Sequence, residues 1–339
     1  MAIKIGINGY GRIGRIVLRQ ALAMPEEFQV CAINYRDVDL DYMAYMMRYD
    51  STFGRYSGTV RAVDNGLLFD EKYFVPVFTG SSAEDLPWGK CGAEYIVEST
   101  GAYKTYEKSK AHLDAGAKKV VITAPAKDDS PTFVVGVNHN DYTKDMDVVS
   151  NASCTTNCLA PLVKVVNDNF GIVEGLMSTI HSSTSKQKVV DCRSKKGWRI
   201  GRSVYNNIIP STTGAAKACG LVIPEMKGKL TGMSFRIPTP DVSIVDLTVL
   251  LNTKTDYETI CKTIKEACET TMKGVMSYCD EDVVSADFVG STYTSNFDAK
   301  AGMMINDNFV KLLSWYDNEW GYSTKILELI KHMHSVDNA

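Results

Sequence analysis

Ile3-Lys4-Ile5-Gly6-Ile7-Asn8-Gly9-Tyr10-Gly11-Arg12-Ile13-Gly14 opens the chain and decides how it folds. Ile3 to Asn8 reads as a buried strand. Gly9, Gly11 and Gly14 spell G-x-G-x-x-G, and Ile16, Val17, Leu18 and Leu22 continue as a helix. Strand, glycine turn and helix in direct succession are the setting that a dinucleotide fingerprint requires. The glycines let the backbone approach a pyrophosphate, which the helix N-terminus holds with its unpaired N–H groups. A plain glycine turn is the alternative. A second strand, Gln29 to Asn34, ends in Asn34-Tyr35-Arg36-Asp37. In an NAD site an acidic side chain usually waits there for the ribose hydroxyls. Tyr35 carries no charge and Arg36 is cationic, which suits a 2′-phosphate. The alternatives are that Asp37 does the usual job, or that Arg36 points to solvent.

Further strands are expected at Tyr95–Val97, Lys119–Ile122, Phe133–Val137 and Val148–Val149. Strands alternating with helices predict an α/β fold with a parallel, doubly wound, Rossmann-type sheet. Thr100 and Thr123, at strand C-terminal ends, would face the cofactor crevice. Beyond Cys154 the pattern changes. Gly175–His181 and Val242–Leu251 read as sheet, Tyr257–Lys273 as helix and Tyr322–His334 as an amphipathic terminal helix. This predicts an α+β second domain with a mixed or antiparallel sheet. The expected division is 1–153, with about 318–339 packing back on it, and 154–317.

The 339 residues suit two domains, and a net charge of −3 argues against bulk affinity for nucleic acid or an anionic membrane. Nine scattered cysteines predict reduced thiols in a cytoplasmic compartment and no disulfide framework. The chain enters a strand at once, so no signal peptide is expected. No apolar run is long enough to span a bilayer.

The chemistry centres on Ser150-Asn151-Ala152-Ser153-Cys154-Thr155-Thr156-Asn157-Cys158-Leu159-Ala160-Pro161. Cys154 falls at the first turn of a helix, where free N–H groups and the helix dipole favour a thiolate and can hold an oxyanion. Two cysteines packed on a core helix are the alternative, and Cys158 is the expected packer. No partner pair at zinc spacing is present, so no metal is expected. A nucleophilic Cys needs a base. Of five histidines, His112 falls in a charged helix, His139 in a polar turn, and His332 and His334 in the terminal tail. His181 alone ends an apolar strand. Residues 182–207 carry Lys186, Lys188, Arg193, Lys195, Lys196, Arg199 and Arg202 against one acid, Asp191. They read as a solvated charge run or as a phosphate-binding loop. A thiolate, an imidazole, a dinucleotide fold and anion ligands together suit one reaction. An aldehyde adds to sulfur, hydride leaves for nicotinamide, and a thioester remains.

With these residues the whole chain resembles phosphorylating glyceraldehyde-3-phosphate dehydrogenase. Ile7 to Arg15, Ser150 to Pro161, Ser211 to Lys217, Gly228 to Met233, Arg236 to Thr239 and Ser314 to Glu319 match its motifs. The resemblance implies Cys154 as nucleophile and His181 as its activating base. It implies Gly9, Gly11, Arg12, Ile13 and Gly14 at the cofactor, with Asn318 orienting the nicotinamide amide. It places Thr184 and Arg236 on the substrate phosphate. Ser153, Thr155, Arg202, Thr213 and Gly214 fall on the inorganic phosphate that yields 1,3-bisphosphoglycerate. A homotetramer is implied, in which the 182–207 loop reaches a neighbour's cofactor site.

Two clusters depart from the family pattern. NAD-using members usually carry Asp at Tyr35, and Pro often stands at Arg36. The usual Gly-Pro or Leu-Pro of the long loop is Cys192-Arg193. Each change adds a cation, so NADP is expected over NAD, or at least loss of NAD exclusivity. Ser81 stands where NADP users commonly have Arg, although Ser81 and Ser82 still offer hydroxyls. After His181, Ser183 replaces a bulky residue and Lys186 a hydroxyl, which suits a tighter phosphate grip or tolerance of a thiol-directed inhibitor. The alternatives are an NAD-specific isoform with an altered loop, a related dehydrogenase for erythrose 4-phosphate, and a non-catalytic binding protein.

Overall fold

The computed structural model describes every residue except Asp37 and Lys196, so the expectations that fall on those two lie outside the described residues. The chain forms two compact units. The first comprises Met1–Phe133, His139–Ala152 and Ser323–Ala339; the second comprises Val134–Asn138 and Ser153–Tyr322.

In the first unit β1 (Ile3–Asn8) leads through Gly9–Gly11 into α1 (Arg12–Leu22), and β2 (Phe28–Asn34) into α2 (Leu40–Arg48). A small antiparallel ribbon follows: β3 (Val60–Val63), β4 (Gly66–Phe69) and β5 (Tyr73–Phe78). Then come α3 (Trp88–Cys91), β6 (Tyr95–Glu98), α4 (Tyr106–Asp114), β7 (Lys119–Ile122) and β8 (Val148–Ser150). The sheet order is β3-β4-β5-β2-β1-β6-β7-β8, with β5 through β8 parallel to one another. The chain crosses over on either side of β1, so the strand order reverses there. In such sheets ligands bind in the crevice outside the strand C-termini at that point. The parallel strands are buried on both faces, which explains their continuous apolar runs. Ile5 and Ile7 are fully buried, each contributing about 2 kcal/mol by removal from water.

Phe133–Val137 is not a strand. Only Thr132 makes a bridge, to Ser150. The chain then turns, because Val137 N–H bonds Val134 O, the Asn138 side chain accepts from Val134 N–H, and Gly136 has φ +85°. An apolar run of five residues cannot be told from a buried turn by pattern alone.

The second unit begins with α5 (Cys154–Phe170) and β9 (Ile172–His181). It continues through β10 (Ile209–Thr212), α6 (Ala215–Val222), β11 (Leu230–Arg236), β12 (Ser243–Leu251) and α7 (Tyr257–Glu269). α7 stops four residues short of the expected Lys273, since Thr270 to Gly274 turn back, with Gly274 at φ +79°. The unit closes with β13 (Met276–Cys279), β14 (Ser295–Met304) and β15 (Phe309–Tyr316). Its seven-stranded mixed sheet has the order β10-β11-β9-β12-β15-β14-β13. The terminal helix is α8 (Trp320–Asp337). Within the first unit, Asp337 accepts from the hydroxyls of Tyr95 and Tyr142.

One glycine tests the turn. A Cβ on Gly14 would sit 2.1 Å from Gly9 O, a backbone atom that cannot swing away. Gly14→Ala is therefore expected to cost about tenfold or more in nicotinamide-cofactor affinity by titration, with a lower Tm. Unchanged binding would mean that the turn can give way.

Candidate active site

Backbone register assembles the catalytic cluster. β9 and β11 run parallel and end level, with His181 opposite Arg236. β12 starts beside them, its Ser243 opposite Tyr316 at the end of β15. Four strand ends thus deliver His181, Arg236, Ser243 and Tyr316 to one edge of the sheet.

Cys154 is the first residue of α5. Ser153 caps that helix, its hydroxyl accepting from Thr156 N–H at 3.1 Å. Cys154 Sγ lies 3.5 Å from His181 Nε2. On the far side of the ring, His181 Nδ1 is 2.9 Å from Ser182 O and 2.7 Å from Arg236 Nη1. That same Nη1 also donates to Ser182 O at 3.0 Å. Tyr316 is buried edge-on to the imidazole, and its hydroxyl bridges Thr155 and Thr179, 2.9 Å from each. Burial pushes the Cys154 thiol above its ordinary range, while the Arg236 cation and the N–H groups at the helix start pull it down. Burial, with Arg236 second, holds His181 down at about 3. Burial thus favours the neutral forms of thiol and imidazole, while Arg236 and the helix-start N–H groups favour the thiolate. Cys158, one turn on, is fully buried and donates to Ser314 O.

Asn318 is fixed by two hydroxyls. Ser182 and Ser243 both donate to its Oδ1 at 2.8 Å. Its amide nitrogen is the end left to donate outward.

The first unit holds a crevice of about 850 Å³ at the C-terminal ends of β1, β2 and β6. Gly9, Gly11, Tyr35, Arg36, Ser81 and Thr100 line it. A Cβ at Gly11 would meet nothing, so the space above the turn is open, and Gly9 takes φ +109°. Bare glycine backbone, a helix N-terminus and an open cradle fit a dinucleotide pyrophosphate. Beneath the crevice a buried network braces Glu98. It accepts from Asn8 Nδ2 at 2.6 Å and Thr100 N–H at 2.8 Å, and His112 Nε2 lies 3.2 Å away. Trp88 Nε1–H donates to His112 Nδ1 at 3.0 Å, which leaves the ring's proton on Nε2, toward Glu98.

Residues 3–106 match the sequence profile described as glyceraldehyde 3-phosphate dehydrogenase, NAD binding domain, and residues 153–318 match that of the C-terminal domain. The chain belongs to the glyceraldehyde-3-phosphate dehydrogenase family. It is 58% identical over 336 residues to the cytosolic enzyme of Ginkgo biloba, covering 98% of each chain. It is 56% identical to glyceraldehyde-3-phosphate dehydrogenase 2 of Mucor circinelloides f. lusitanicus, covering 100% of this chain and 99% of that one. It is 57% identical to the Glossina morsitans morsitans enzyme, covering 98% and 99%. The protein is accordingly an NAD(P)-dependent oxidoreductase acting on the aldehyde of glyceraldehyde 3-phosphate.

Other residues expected in this dehydrogenase's sites make the following contacts. Arg12 pairs with Asp50 and lies over the Phe53 ring, and Ile13 and Gly14 pack behind the crevice without lining it. Thr123 also lies off the lining, its hydroxyl on Glu98 O at 3.0 Å. Arg202 gives Nε to Asp191 at 2.7 Å, with both side chains exposed. Thr184 is tied to Gln187 Oε1 through both N–H and hydroxyl, and Ser183 donates to Thr239 O. Lys186 and Arg193 are exposed. The Thr213 hydroxyl accepts from Ala215 N–H just before α6, and a Cβ at Gly214, the N-cap, would meet open space.

Several contributors had no sequence signal. His112 lies in the charged helix α4, as expected, and is wholly buried there. His332 lies on α8, its ring 4.8 Å from that of His139. Lys108 lines the crevice. Asp241 is buried beside Asp317 and shares a hydrogen bond with it. Asp317 takes backbone N–H groups from Gly290, Glu319 and Trp320. Burial and the neighbouring Asp317 charge raise Asp241 well above the usual carboxylate range. The folded state therefore keeps a proton that the unfolded chain releases above about pH 4. Stability contributed below that pH is lost as pH rises toward the raised value. Asp241→Asn is expected to flatten this loss, raising Tm at pH 8 by several degrees (roughly 2–4 °C per kcal/mol) with little effect near pH 4. Parallel Tm-against-pH curves for the two proteins would refute it.

Proposed function

We propose that the protein is a phosphorylating glyceraldehyde-3-phosphate dehydrogenase that works through Cys154. The observation carrying this is the contact of Cys154 Sγ, at a capped helix N-terminus, with His181 Nε2. Sulfur adds to the aldehyde carbon as its proton passes to His181 Nε2. That proton then goes to the carbonyl oxygen, giving a hemithioacetal. The unpaired N–H groups at the start of α5 stabilise the oxyanion meanwhile. Bound NAD(P)+ supplies a hydride acceptor. As hydride leaves, His181 Nε2 takes the hydroxyl proton and Cys154 retains an acyl thioester. Exclusion of water keeps the thioester intact until inorganic phosphate attacks and releases 1,3-bisphosphoglycerate.

Arg236, Thr184 and Lys186 would hold the substrate phosphate. Ser153, Thr155, Thr213, Gly214 and Arg202 would hold the attacking phosphate. For the last role Arg202 must leave Asp191, an exposed pair that costs little to break. Asn318 would donate its amide N–H to the nicotinamide carboxamide oxygen.

For the cofactor, the reading is NADP preference or dual use. Tyr35 leaves no carboxylate at the end of β2, and Arg36, Ser81, Ser82 and Lys108 line the crevice. Arg193 would add a cation from the long loop. The second reading, NAD use, is favoured by the name of the matching NAD-binding profile and by the acids Glu84, Glu107 and Asp114 on the same lining. The relatives from Ginkgo biloba, Antirrhinum majus and Zea mays are named cytosolic, which supports a cytoplasmic enzyme here. Among the described residues no helix is long and apolar enough to cross a membrane. A homotetramer is proposed from the family. Val190 and Trp198, exposed on the 182–207 loop, are apolar surface that such a neighbour would cover.

The deciding experiment is kcat/KM for NADP and NAD on glyceraldehyde 3-phosphate, with and without inorganic phosphate. Expected are phosphate-dependent turnover, loss of turnover in Cys154→Ser, and a preference for NADP. Tyr35→Asp should shift the NADP/NAD ratio toward NAD by about tenfold, roughly 1.4 kcal/mol of added repulsion. Phosphate-independent turnover would point to a free-acid-forming relative. An unaltered ratio in Tyr35→Asp would make that position a bystander.

A further inference from the structure

We propose that Ser182 and Ser243 set the ring specificity of the cofactor site. By holding the Asn318 oxygen inward they select a pyridine ring whose substituent accepts a hydrogen bond and reject one whose substituent only donates. The proposal rests on the reading of Asn318 as the contact to the nicotinamide carboxamide, and it assigns the positioning residues behind that contact.

The two ends of an asparagine amide are nearly alike in shape, so space alone does not decide which end faces a ligand. Here two buried protons decide it. Ser182 Oγ and Ser243 Oγ each lie 2.8 Å from Asn318 Oδ1. Ser182 is fully buried and Ser243 is 1% exposed, so their hydroxyl protons are shut away from water. Ser243 Oγ already accepts from Ser182 N–H at 3.0 Å, which leaves its own proton to give. Among the described residues neither hydroxyl has another acceptor. Turning the amide round would set its NH2 group against both hydroxyls and orphan two buried donors, which is costly. The amide is therefore locked with Nδ2 outward, and the end that meets a ligand has donors only.

The backbone around the brace is held from three sides. Ser182 directly follows β9, whose last residue is His181. Ser243 starts β12 opposite Tyr316, two residues before Asn318. The residue ahead of it, Val242, is buried at φ +60°, a conformation that a β-branched side chain rarely takes. Such strain persists where the surrounding structure over-determines it, and it clusters at functional sites. On the third side Asp317 accepts the N–H groups of Gly290, Glu319 and Trp320, which fixes the chain on either side of Asn318. Three segments distant in sequence thus converge on one amide oxygen. Packing alone would not require the two ends of that amide to be told apart.

The test measures dissociation constants, by quenching of tryptophan fluorescence, for two cofactor analogues that differ only in the ring substituent. The acetyl group of 3-acetylpyridine adenine dinucleotide accepts a hydrogen bond, and the amino group of 3-aminopyridine adenine dinucleotide donates one. The wild type should bind the acetyl analogue about tenfold more tightly, the effect of one hydrogen bond made against one donor left facing another. Ser182→Ala/Ser243→Ala frees the amide to turn, and the preference should collapse toward equal binding. A merely structural defect would weaken both analogues alike and leave their ratio unchanged. Where the double variant does not fold, each single variant is expected to move the ratio part of the way. Asn318→Asp checks the underlying reading, because a carboxylate presents only acceptors, and it should reverse the preference toward the amino analogue. If Asn318→Asp reverses the preference but loss of the serines leaves it unchanged, the serines do not set the amide and the proposal is wrong. If Asn318→Asp leaves the ratio unchanged, Asn318 does not face the ring and the underlying reading fails instead.

Discussion

Strand register is the constraint on which the catalytic unit depends. His181 and Arg236 meet because β9 and β11 are parallel neighbours that end level. A one-residue slip in either strand would turn one of the two side chains to the opposite face of the sheet. The same pairing network sets Ser243 beside Tyr316 and so fixes Asn318 through two hydroxyls. Apolar residues alternating along β12 and β15 hold that register, with Val245, Leu247, Val249 and Leu312 buried. The chemistry is polar, but the forces that place it to a few tenths of an ångström are hydrophobic and lie a strand's length away.

The two units use different solutions to the problem of a buried charge. In the first, Glu98 is surrounded by donors from Asn8, Thr100 and His112. It holds Asn8 and Thr100, both lining the crevice, at fixed positions. In the second, Asp241 keeps a proton shared with Asp317, while Arg236 lies between an imidazole and a carbonyl. A satisfied network rigidifies, and a partly satisfied one can respond. The cofactor crevice has the rigid kind and the reacting centre the responsive kind.

What could be read from the sequence was local chemistry. G-x-G-x-x-G between a strand and a helix, a cysteine at a helix start and a histidine at a strand end each announce themselves within a few residues. What could not be read was contact across the sheet. Tyr316 bridging Thr155 and Thr179, Ser243 reaching Asn318, and Asp241 beside Asp317 join residues far apart in the chain. The burial of His112 was hidden for a related reason. Its helix reads as charged in the sequence, and nothing local shows that one position on it turns inward to Trp88 and Glu98. The strand expected at Phe133–Val137 failed because burial and strand geometry leave the same apolar signature over five residues. Lys108 was hidden because a crevice-facing lysine looks like any other surface lysine until the fold is known.

The cofactor question turns on a difference between removing a repulsion and supplying an attraction. An acidic residue at the end of β2 rejects a 2′-phosphate by like charge and attracts ribose hydroxyls by hydrogen bonding. Tyr35 does neither, so its presence alone permits NADP without demanding it. Demand must come from cations and hydroxyls close enough to be desolvated with the phosphate, since an exposed Arg36 screened by salt contributes little at a distance. Ser81 and Ser82 line the crevice with Arg36. Two hydroxyls and one guanidinium can complete a phosphate's shell, with the cation providing the charge and the serines the direction. On that argument any preference for NADP would be shared among weak contributors, with no single residue of the crevice carrying it alone.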